Sequence, residues 1–354
     1  MVWWIGRPHA ALRDLLAERV AEVPTGGSID WVAYYFRDRR LAAALLAAQT
    51  RGVDVRVTVE GRPRRVDAND QVIRMLETGL GKRLRVCRSA VDGRPLGNLL
   101  RARLHTKLYC FSHPEPVAIV GSFNPSSDDP EEHPELIEEI GDHDRGHNAL
   151  VEFRTPALVS ALLSHSRHLH HSIQGPWRRF APSANQSIVD DGVSVHFWTR
   201  VTPHPIKRYL FGLPGGSRVR LATSHLSESA AERTLLRLVD QGIELKVLTD
   251  QTDRRASPSL VSKLREAGVD FARVVYDEWI PMHNKFALVE TETDRRVIFG
   301  SFNWTRPSQR YNHEIGVIAE DAELFLAFAE RWDVLADQVQ KSDHRSRDGQ
   351  GADA

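Results

Sequence analysis

Two imidazoles, two ammonium groups and two carboxamides recur at matched spacing along this chain. His105 and Lys107 stand in Leu104-His105-Thr106-Lys107-Leu108, and His283 and Lys285 in Met282-His283-Asn284-Lys285-Phe286. Each pair precedes a polar turn, a short apolar stretch (Val117 to Val120; Val297 to Phe299) and Gly-Ser-Phe-Asn, at Gly121 to Asn124 and Gly300 to Asn303. In an extended strand, alternate residues project to the same face, so each His shares its space with its Lys, and each Ser with its Asn. Transfer at a phosphodiester needs a nucleophile, an acid for the leaving oxygen, and cations and donors around the phosphoryl oxygens. His105 and His283, with Lys107, Lys285, Asn124, Asn303, Ser122 and Ser301, supply all of these without a metal or cofactor.

The elements that must carry these groups are also repeated. Leu12, Leu15, Leu16, Val20 and Val23 give helical spacing over Pro8 to Val23, stopped by Pro24-Thr25-Gly26-Gly27. Strands are predicted over Ile29 to Phe36, Val53 to Val59 and Leu84 to Cys87, with helices over Arg39 to Thr50 and Asp70 to Thr78. The order returns as strand Arg218 to Thr223, helix Ser229 to Asp240, strand Glu244 to Leu248, helix Ser257 to Ala267 and strand Asp270 to Val275. Gln49-Thr50-Arg51-Gly52-Val53-Asp54-Val55 matches Val239-Asp240-Gln241-Gly242-Ile243-Glu244-Leu245 almost position for position, so an internal duplication extends beyond the reactive residues. Asp190 to Trp198 reads as an extra strand opening the second half. The expectation is an α/β fold of two pseudo-symmetric α/β/α halves, residues 1–185 and 186–340, pooling one active site at their interface, with a disordered tail over 341–354.

His-x-Lys followed by Gly-Ser-x-Asn, twice, resembles the phospholipase D superfamily, and the resemblance runs from about Ser28 to Trp332. It implies a covalent phosphohistidine, with His105 as nucleophile and His283 as acid and base, the Lys and Asn pairs, with Ser122 and Ser301, binding the non-bridging oxygens. The family's Asp, placed after four more residues, is replaced by Ser112 and Glu290. The family's His-orienting Glu falls at Glu314, thirteen residues after Ser301, so Glu314 is expected to orient His283. The first half offers Asn148-Ala149-Leu150 at the apparent equivalent, placing Leu150 where a Glu is expected, with Glu152 or the acidic run as substitutes.

Composition narrows the partners less than distribution does. Lys plus Arg equal Asp plus Glu at 47 each in 354 residues. Yet Arg37 to Lys107 holds 17 basic against 7 acidic residues, including Arg62, Arg64, Arg65, Lys82, Arg83, Arg85, Arg101 and Arg103, a lobe suited to a polyanion or an anionic membrane surface. Asp128 to Asp144 carries nine acidic residues and no basic one, a solvated loop or a charged gate beside the site. His165, His168, His170 and His171 end a helix starting near Pro156; they read as exposed helix-end residues, not a metal site. Trp279 and Trp304 flank the second motif as stacking platforms or as core. Cys87 and Cys110 give no disulfide framework, and the start shows neither an export signal nor a membrane span. A cytoplasmic nuclease is therefore the leading expectation. The alternatives are a phospholipase D or phosphatidyltransferase acting on phospholipid, and a non-catalytic module that binds a polyanion. A monomer suffices for the site.

Overall fold

The computed structural model describes residues 1–7, 9–65, 67–87, 103–125, 148–172, 185–199, 204–227, 231–275 and 282–348. The acidic run from Asp128 to Asp144, Trp279 and Arg101 lie outside these residues.

Short runs rich in Val and Ile build two sheets. The first contains β1 (Val2–Arg7), β2 (Ser28–Ala33), β3 (Asp54–Glu60), β4 (Leu84–Cys87), β5 (Leu108–Phe111), β6 (Val117–Gly121) and β7 (Asn148–Phe153), ordered β1-β7-β6-β5-β2-β3-β4. The second contains β8 (Ile188–Asp190), β9 (Val193–Trp198), β10 (Arg218–Thr223), β11 (Glu244–Asp250), β12 (Asp270–Val274), β13 (Lys285–Glu290), β14 (Arg295–Gly300) and β15 (Glu314–Ala319), ordered β12-β11-β10-β13-β14-β15-β9-β8. Apart from β8 the two orders are the same. In each sheet three strands run parallel, β2-β3-β4 and β10-β11-β12, and the His-x-Lys strands β5 and β13 join antiparallel to β2 and β10. The α/β expectation of two pseudo-symmetric halves is met.

Both faces of each sheet are buried, and side-chain alternation divides them. Along β5, Tyr109 and Phe111 join the outer cluster while Leu108 and Cys110 join the central one. Helices α1 (His9–Glu22), α2 (Arg39–Thr50) and α3 (Asp70–Leu80) supply Leu12, Leu16, Leu41, Leu45 and Leu76 to that outer cluster. Asp38 starts α2 by accepting a bond from the Leu41 N–H at 2.8 Å. Helix α4 (Pro156–Ser172) covers the other face of the first sheet. In the second half, α5 (Pro205–Phe211), α6 (Arg233–Asp240) and α7 (Pro258–Glu266) cover the outer face. The short α8 (Arg306–Arg310) follows β14, and the long α9 (Ala322–Asp348) packs centrally.

The central cluster joins the halves. It takes Val120, Val151 and Leu162 from the first half and Val297, Val317 and Phe328 from the second. Phe153 stacks on Phe299 across it with ring centroids 6.4 Å apart. A continuous apolar seam of this kind holds the two sheets in one orientation, which a site assembled from both requires.

Val2–Arg7 form edge strand β1, antiparallel to β7. Two local readings change. Helix α9 continues to Asp348, into the segment read as a disordered tail. The histidines of α4 are not all exposed: His165 is buried and stacks on Phe197 of β9 at 3.9 Å, and buried His170 meets the Thr58 hydroxyl at 3.0 Å. They cement α4 to its neighbours, so their aromatic faces matter more than their charge. Among the described residues no helix is long and apolar enough to cross a membrane.

Candidate active site

The two His-x-Lys segments enter β5 and β13 at the same end of their sheets, and a matched carboxylate anchors each. Glu60 at the end of β3 accepts the Leu104 N–H at 2.7 Å, and Asp250 at the end of β11 accepts the Met282 N–H at 3.0 Å. Each thus fixes the residue before the histidine. Lys107 and Lys285 turn back to donate to the carbonyls of His105 and His283 at 2.8 and 3.1 Å. Both ammonium groups are buried, and Lys107 Nζ lies 5.3 Å from the centre of the Tyr34 ring. A charge buried this deeply is costly unless an anion meets it, which suits a site for phosphoryl oxygens.

The glycines of the two Gly-Ser-Phe-Asn segments serve close packing. A Cβ on Gly121 would run into the Ala149 carbonyl oxygen, and one on Gly300 into that of Ile315. That approach lets Ser122 and Ser301 bond their neighbouring strands, accepting from Ala149 N at 3.1 Å and Ile315 N at 3.0 Å. Their hydroxyl hydrogens then go to Asn148 Oδ1 at 3.0 Å and Glu314 Oε2 at 2.5 Å. The resemblance implied that these serines bind phosphoryl oxygens. They instead brace the two residues that orient the histidines.

Glu314 does not orient His283. Its Oε2 accepts from His105 Nδ1 at 2.9 Å, across the seam between halves. The crossing follows from backbone pairing: Leu104 bridges His313 in parallel, with His313 N donating to Arg103 O at 2.9 Å and His105 N to His313 O at 3.0 Å. His283 Nδ1 correspondingly meets Asn148 Oδ1 at 2.7 Å. Asn148, not Leu150, is the counterpart of Glu314. The serine lies 26 residues before its partner in the first half and 13 in the second, and the acidic run within the longer spacing offset the alignment. Leu150 is an outer-core residue, and Glu152 is committed to Arg19 and Arg154 at 2.8 Å each.

Ser112 and Glu290 lie at the opposite strand ends from the cleft. Ser112 Oγ accepts the Ser28 N–H at 2.7 Å, and Glu290 pairs with Arg218 and Arg220 at 3.4 and 3.2 Å. Each locks the distal end of a His-x-Lys strand to its neighbour, a structural task that Ser and Glu both perform.

The electrostatics separate the two imidazoles. Burial alone would raise the Glu314 carboxyl, but His105, Lys107 and the Ser301 hydroxyl prevail and hold it down at about 2. Ser308 Oγ and Asn312 Nδ2 also donate to it. Burial and the nearby Lys107 and Lys285 push His105 down to about 4, outweighing the pull of Glu314. At neutral pH the pair is carboxylate and neutral imidazole, with the proton on Nδ1. The Nε2 lone pair then faces away from Glu314, as a nucleophile needs.

A pocket of about 200 Å³ lies at the seam, lined by His105 and Asn124 from the first half and His283 and Asn303 from the second. Asn124 Oδ1 accepts the Tyr35 N–H at 3.4 Å, and Asn303 Oδ1 is buried without a hydrogen-bond partner among the described residues. Tyr34, Tyr35, Arg64, Arg103, Thr305 and Asn312 also line it, as does His225. Sequence reasoning missed Tyr34, Tyr35 and His225. Register would have found them, because Tyr34-Tyr35 follow β2 as Ser224-His225 follow β10. Trp304 is buried in the outer core of the second half.

Glu60 carries a pH dependence of its own. Burial raises its carboxyl from 4.5 to about 7, against the backbone N–H groups of Leu104 and Arg62. The folded state therefore holds more protons than the unfolded one between these values, so stability falls as pH rises through that window. The loss is about 3 kcal/mol at full ionisation. Urea unfolding of Glu60→Gln should show a lower plateau but lose this decline between pH 5 and 7.

Together these features define a bilobal protein in which a repeated His-x-Lys half supplies its reactive groups to a shared cleft. A family model described as "Cardiolipin synthase, PLD-like domain" matches residues 25–154 and 215–335, once in each half. The chain belongs to the phospholipase D superfamily, a family of phosphodiester-acting enzymes. It is 28% identical over 138 residues to a mitochondrial cardiolipin hydrolase of Chlamydomonas reinhardtii, covering 38% of this chain and 59% of that protein. It is 33% identical over 106 residues to one of Danio rerio, covering 30% and 45%. A phospholipase D of Rickettsia bellii is 28% identical over 109 residues, covering 30% and 51%. The chain thus spans about half the length of the curated relatives it matches. Among solved structures, phosphatidylserine synthase of Haemophilus influenzae aligns over 95% of this chain and 86% of its own, with a TM-score of 0.66 at 12% identity, a likeness of fold.

Proposed function

We propose that this chain is a phosphodiesterase whose His105 attacks phosphorus and whose His283 serves the leaving oxygen, and that its substrate is a phospholipid. The unlike settings of the two imidazoles carry the assignment. His105 rests on a buried carboxylate, which fixes its tautomer and stabilises the positive charge that develops as nitrogen bonds phosphorus. His283 rests on a neutral amide, which fixes orientation without holding the proton by charge, as suits a group that must give it up. Lys107 and Lys285, with Asn124 and Asn303, offset the charge growing on the non-bridging oxygens. His283 then takes a proton from water as it attacks the phosphohistidine.

The sequence alone put nucleic acid first; the cardiolipin hydrolases and phospholipase D to which the chain is similar support phospholipid instead. A nuclease is kept as a second reading because of the cleft wall. Arg64, Arg103, Tyr34 and Tyr35 suit a sugar–phosphate chain, and the exposed large apolar side chains among the described residues, Val189, Leu326 and Val334, do not line the cleft. The test is turnover with excess EDTA of phosphatidylglycerol and diphosphatidylglycerol in mixed micelles, beside labelled single-stranded DNA and RNA, by the wild type and His105→Ala. Headgroup release that survives EDTA and disappears in the variant is the expected result. Cleavage of nucleic acid alone would replace the lipid by the second reading, and loss of activity in EDTA would overturn the metal-independent route.

A further inference from the structure

The chemistry proposed for the cleft uses Lys107 and Lys285 as its cations and leaves two positive groups that line the pocket unaccounted for. Arg64 and Arg103 both line the pocket. Neither guanidinium meets a carboxylate within ion-pair distance among the described residues, although arginines elsewhere in the first half are paired, such as Arg19 with Glu152 and Arg83 with Asp54. The Arg103 charge acts on Glu60 from a distance, but the two Glu60 oxygens accept the backbone N–H groups of Leu104 and Arg62.

Tyr34 sets where these charges stand. Its ring lies 4.9 Å from the His105 ring and covers Lys107. Its phenol oxygen accepts Arg103 Nη1 at 3.1 Å and the Arg64 backbone N–H at 2.7 Å. Burial is the main force raising the Tyr34 phenol, so it stays protonated and brings no charge to balance the arginines. The Arg103 backbone is held as well, its N–H donating to Asn312 Oδ1 at 3.1 Å and its carbonyl accepting from His313. The ring therefore acts as a spacer: reacting groups lie along one side, and a preorganised guanidinium lies beyond its hydroxyl edge. Arg64 is exposed and reaches the same wall. Unneutralised arginines held around a cleft are suited to a phosphate, which accepts two N–H bonds from one guanidinium.

We propose that Arg64 and Arg103 form a second anion subsite beside the reacting phosphorus, taking a diester that carries a second phosphate a few bonds along its chain. This rests on the phosphodiester reading of the cleft, which it deepens by naming what the neighbouring group must be. A glycerol-bridged bisphosphate lipid and a nucleotide chain both present that chemistry.

The test begins with binding, which needs no turnover. Calorimetry at fixed ionic strength compares propane-1,3-diol bisphosphate with propyl phosphate on the wild type, Arg64→Gln, Arg103→Gln and the double variant. The wild type should prefer the bisphosphate by about 10- to 100-fold, each single variant should weaken that preference, and the double variant should bring it near unity. Arg64→Gln changes an exposed side chain, so its result stands even if Arg103→Gln misfolds. Equal binding by the wild type, or a preference that survives the Arg64→Gln and double variants, overturns the subsite. Turnover then compares 3-phosphooxypropyl 4-nitrophenyl phosphate with its 3-hydroxypropyl analogue. Absence of nitrophenolate from both, with the binding preference intact, would overturn the proposed reaction and not the subsite. Two further arms, short-chain diphosphatidylglycerol against phosphatidylglycerol and pTpT against TpT, identify the source by which preference the variants erase. A lack of preference in both arms would overturn the subsite's part in substrate choice.

Discussion

In a His283→Ala variant, a 4-nitrophenyl phosphodiester should release about one equivalent of nitrophenolate per chain and then stall, leaving the phosphoryl group on His105. The two half-reactions differ in their need for His283. Nitrophenolate is a good leaving group and needs little protonation, so attack by His105 Nε2 can break the P–O bond without an acid. The second step needs a base to take a proton from water, and Asn148 offers only an amide in place of the lost imidazole. Loss of a positioned general base costs about 10²–10⁴-fold, which should make hydrolysis of the intermediate rate-limiting by a wide margin. Quenched-flow kinetics would show the burst, and mass spectrometry of an acid-free digest would place the added mass on the peptide containing His105. His105→Ala should give neither burst nor adduct. An adduct on His283 in the His105→Ala chain would reverse the roles, and steady multiple turnover by His283→Ala would remove His283 from the second step. A natural alkoxide leaving group should show no burst in the same variant, because that oxygen leaves only when protonated. The contrast between the two leaving groups makes the experiment specific to His283.

Much of this arrangement is legible in the sequence because the reactive residues sit at fixed offsets from strand ends. His-x-Lys and Gly-Ser-Phe-Asn announce two strands that present like groups, and repetition of Arg-Gly-Val-Asp-Val as Gln-Gly-Ile-Glu-Leu announces a repeated sheet. What sequence could not show is which half serves which histidine. Glu314 follows Ser301 in β15 and binds it, so a reading along the chain assigns it to the histidine of its own half. The actual partner is set by the short bridge between Leu104 and His313, a contact 209 residues apart. Backbone pairing of that kind has no local signal. Asn148 was hidden for another reason: counting from Ser122 passes through the long acidic run, and only the Ser122 to Asn148 bond restores the frame. Tyr35 and His225 share nothing in residue type, and only their common place after β2 and β10 marks them as cleft residues. Ser112 and Glu290 show the converse. They depart from a family pattern, but their positions at the distal strand ends make the departure one of strand locking, remote from the chemistry.

Replacing Glu314 with Gln should combine a loss of rate with a shift in pH dependence that no purely structural lesion would produce. The carboxylate receives His105 Nδ1, the Ser301 and Ser308 hydroxyls and Asn312 Nδ2. A Gln side chain keeps one acceptor oxygen and sets an NH₂ against the remaining donors, leaving buried groups unsatisfied. Urea unfolding should show a loss of about 3–5 kcal/mol, the usual cost of removing one member of a buried charged network. Turnover of a nitrophenyl diester should fall by about 10²–10⁴-fold, because His105 loses the partner that fixes its tautomer and offsets its charge as nitrogen bonds phosphorus. Glu314 is depressed from 4.5 to about 2, so its stabilisation is complete above 4.5 and is lost as pH falls through 2. His105 is depressed from 6.5 to about 4, so the folded state binds fewer protons than the unfolded one between these values and stability falls with acid there too. In the variant the Glu314 contribution disappears and the acid loss between pH 4.5 and 2 should flatten. The acid limb of kcat/KM, set near 4 by protonation of His105, should move lower, since the carboxylate was the group favouring that proton. Asn148→Asp provides the opposite case: a new carboxylate on His283 should hold its proton more tightly and move the basic limb of kcat upward by on the order of one unit. An unmoved acid limb in Glu314→Gln, at whatever rate remains, would show that Glu314 supports the fold without tuning His105.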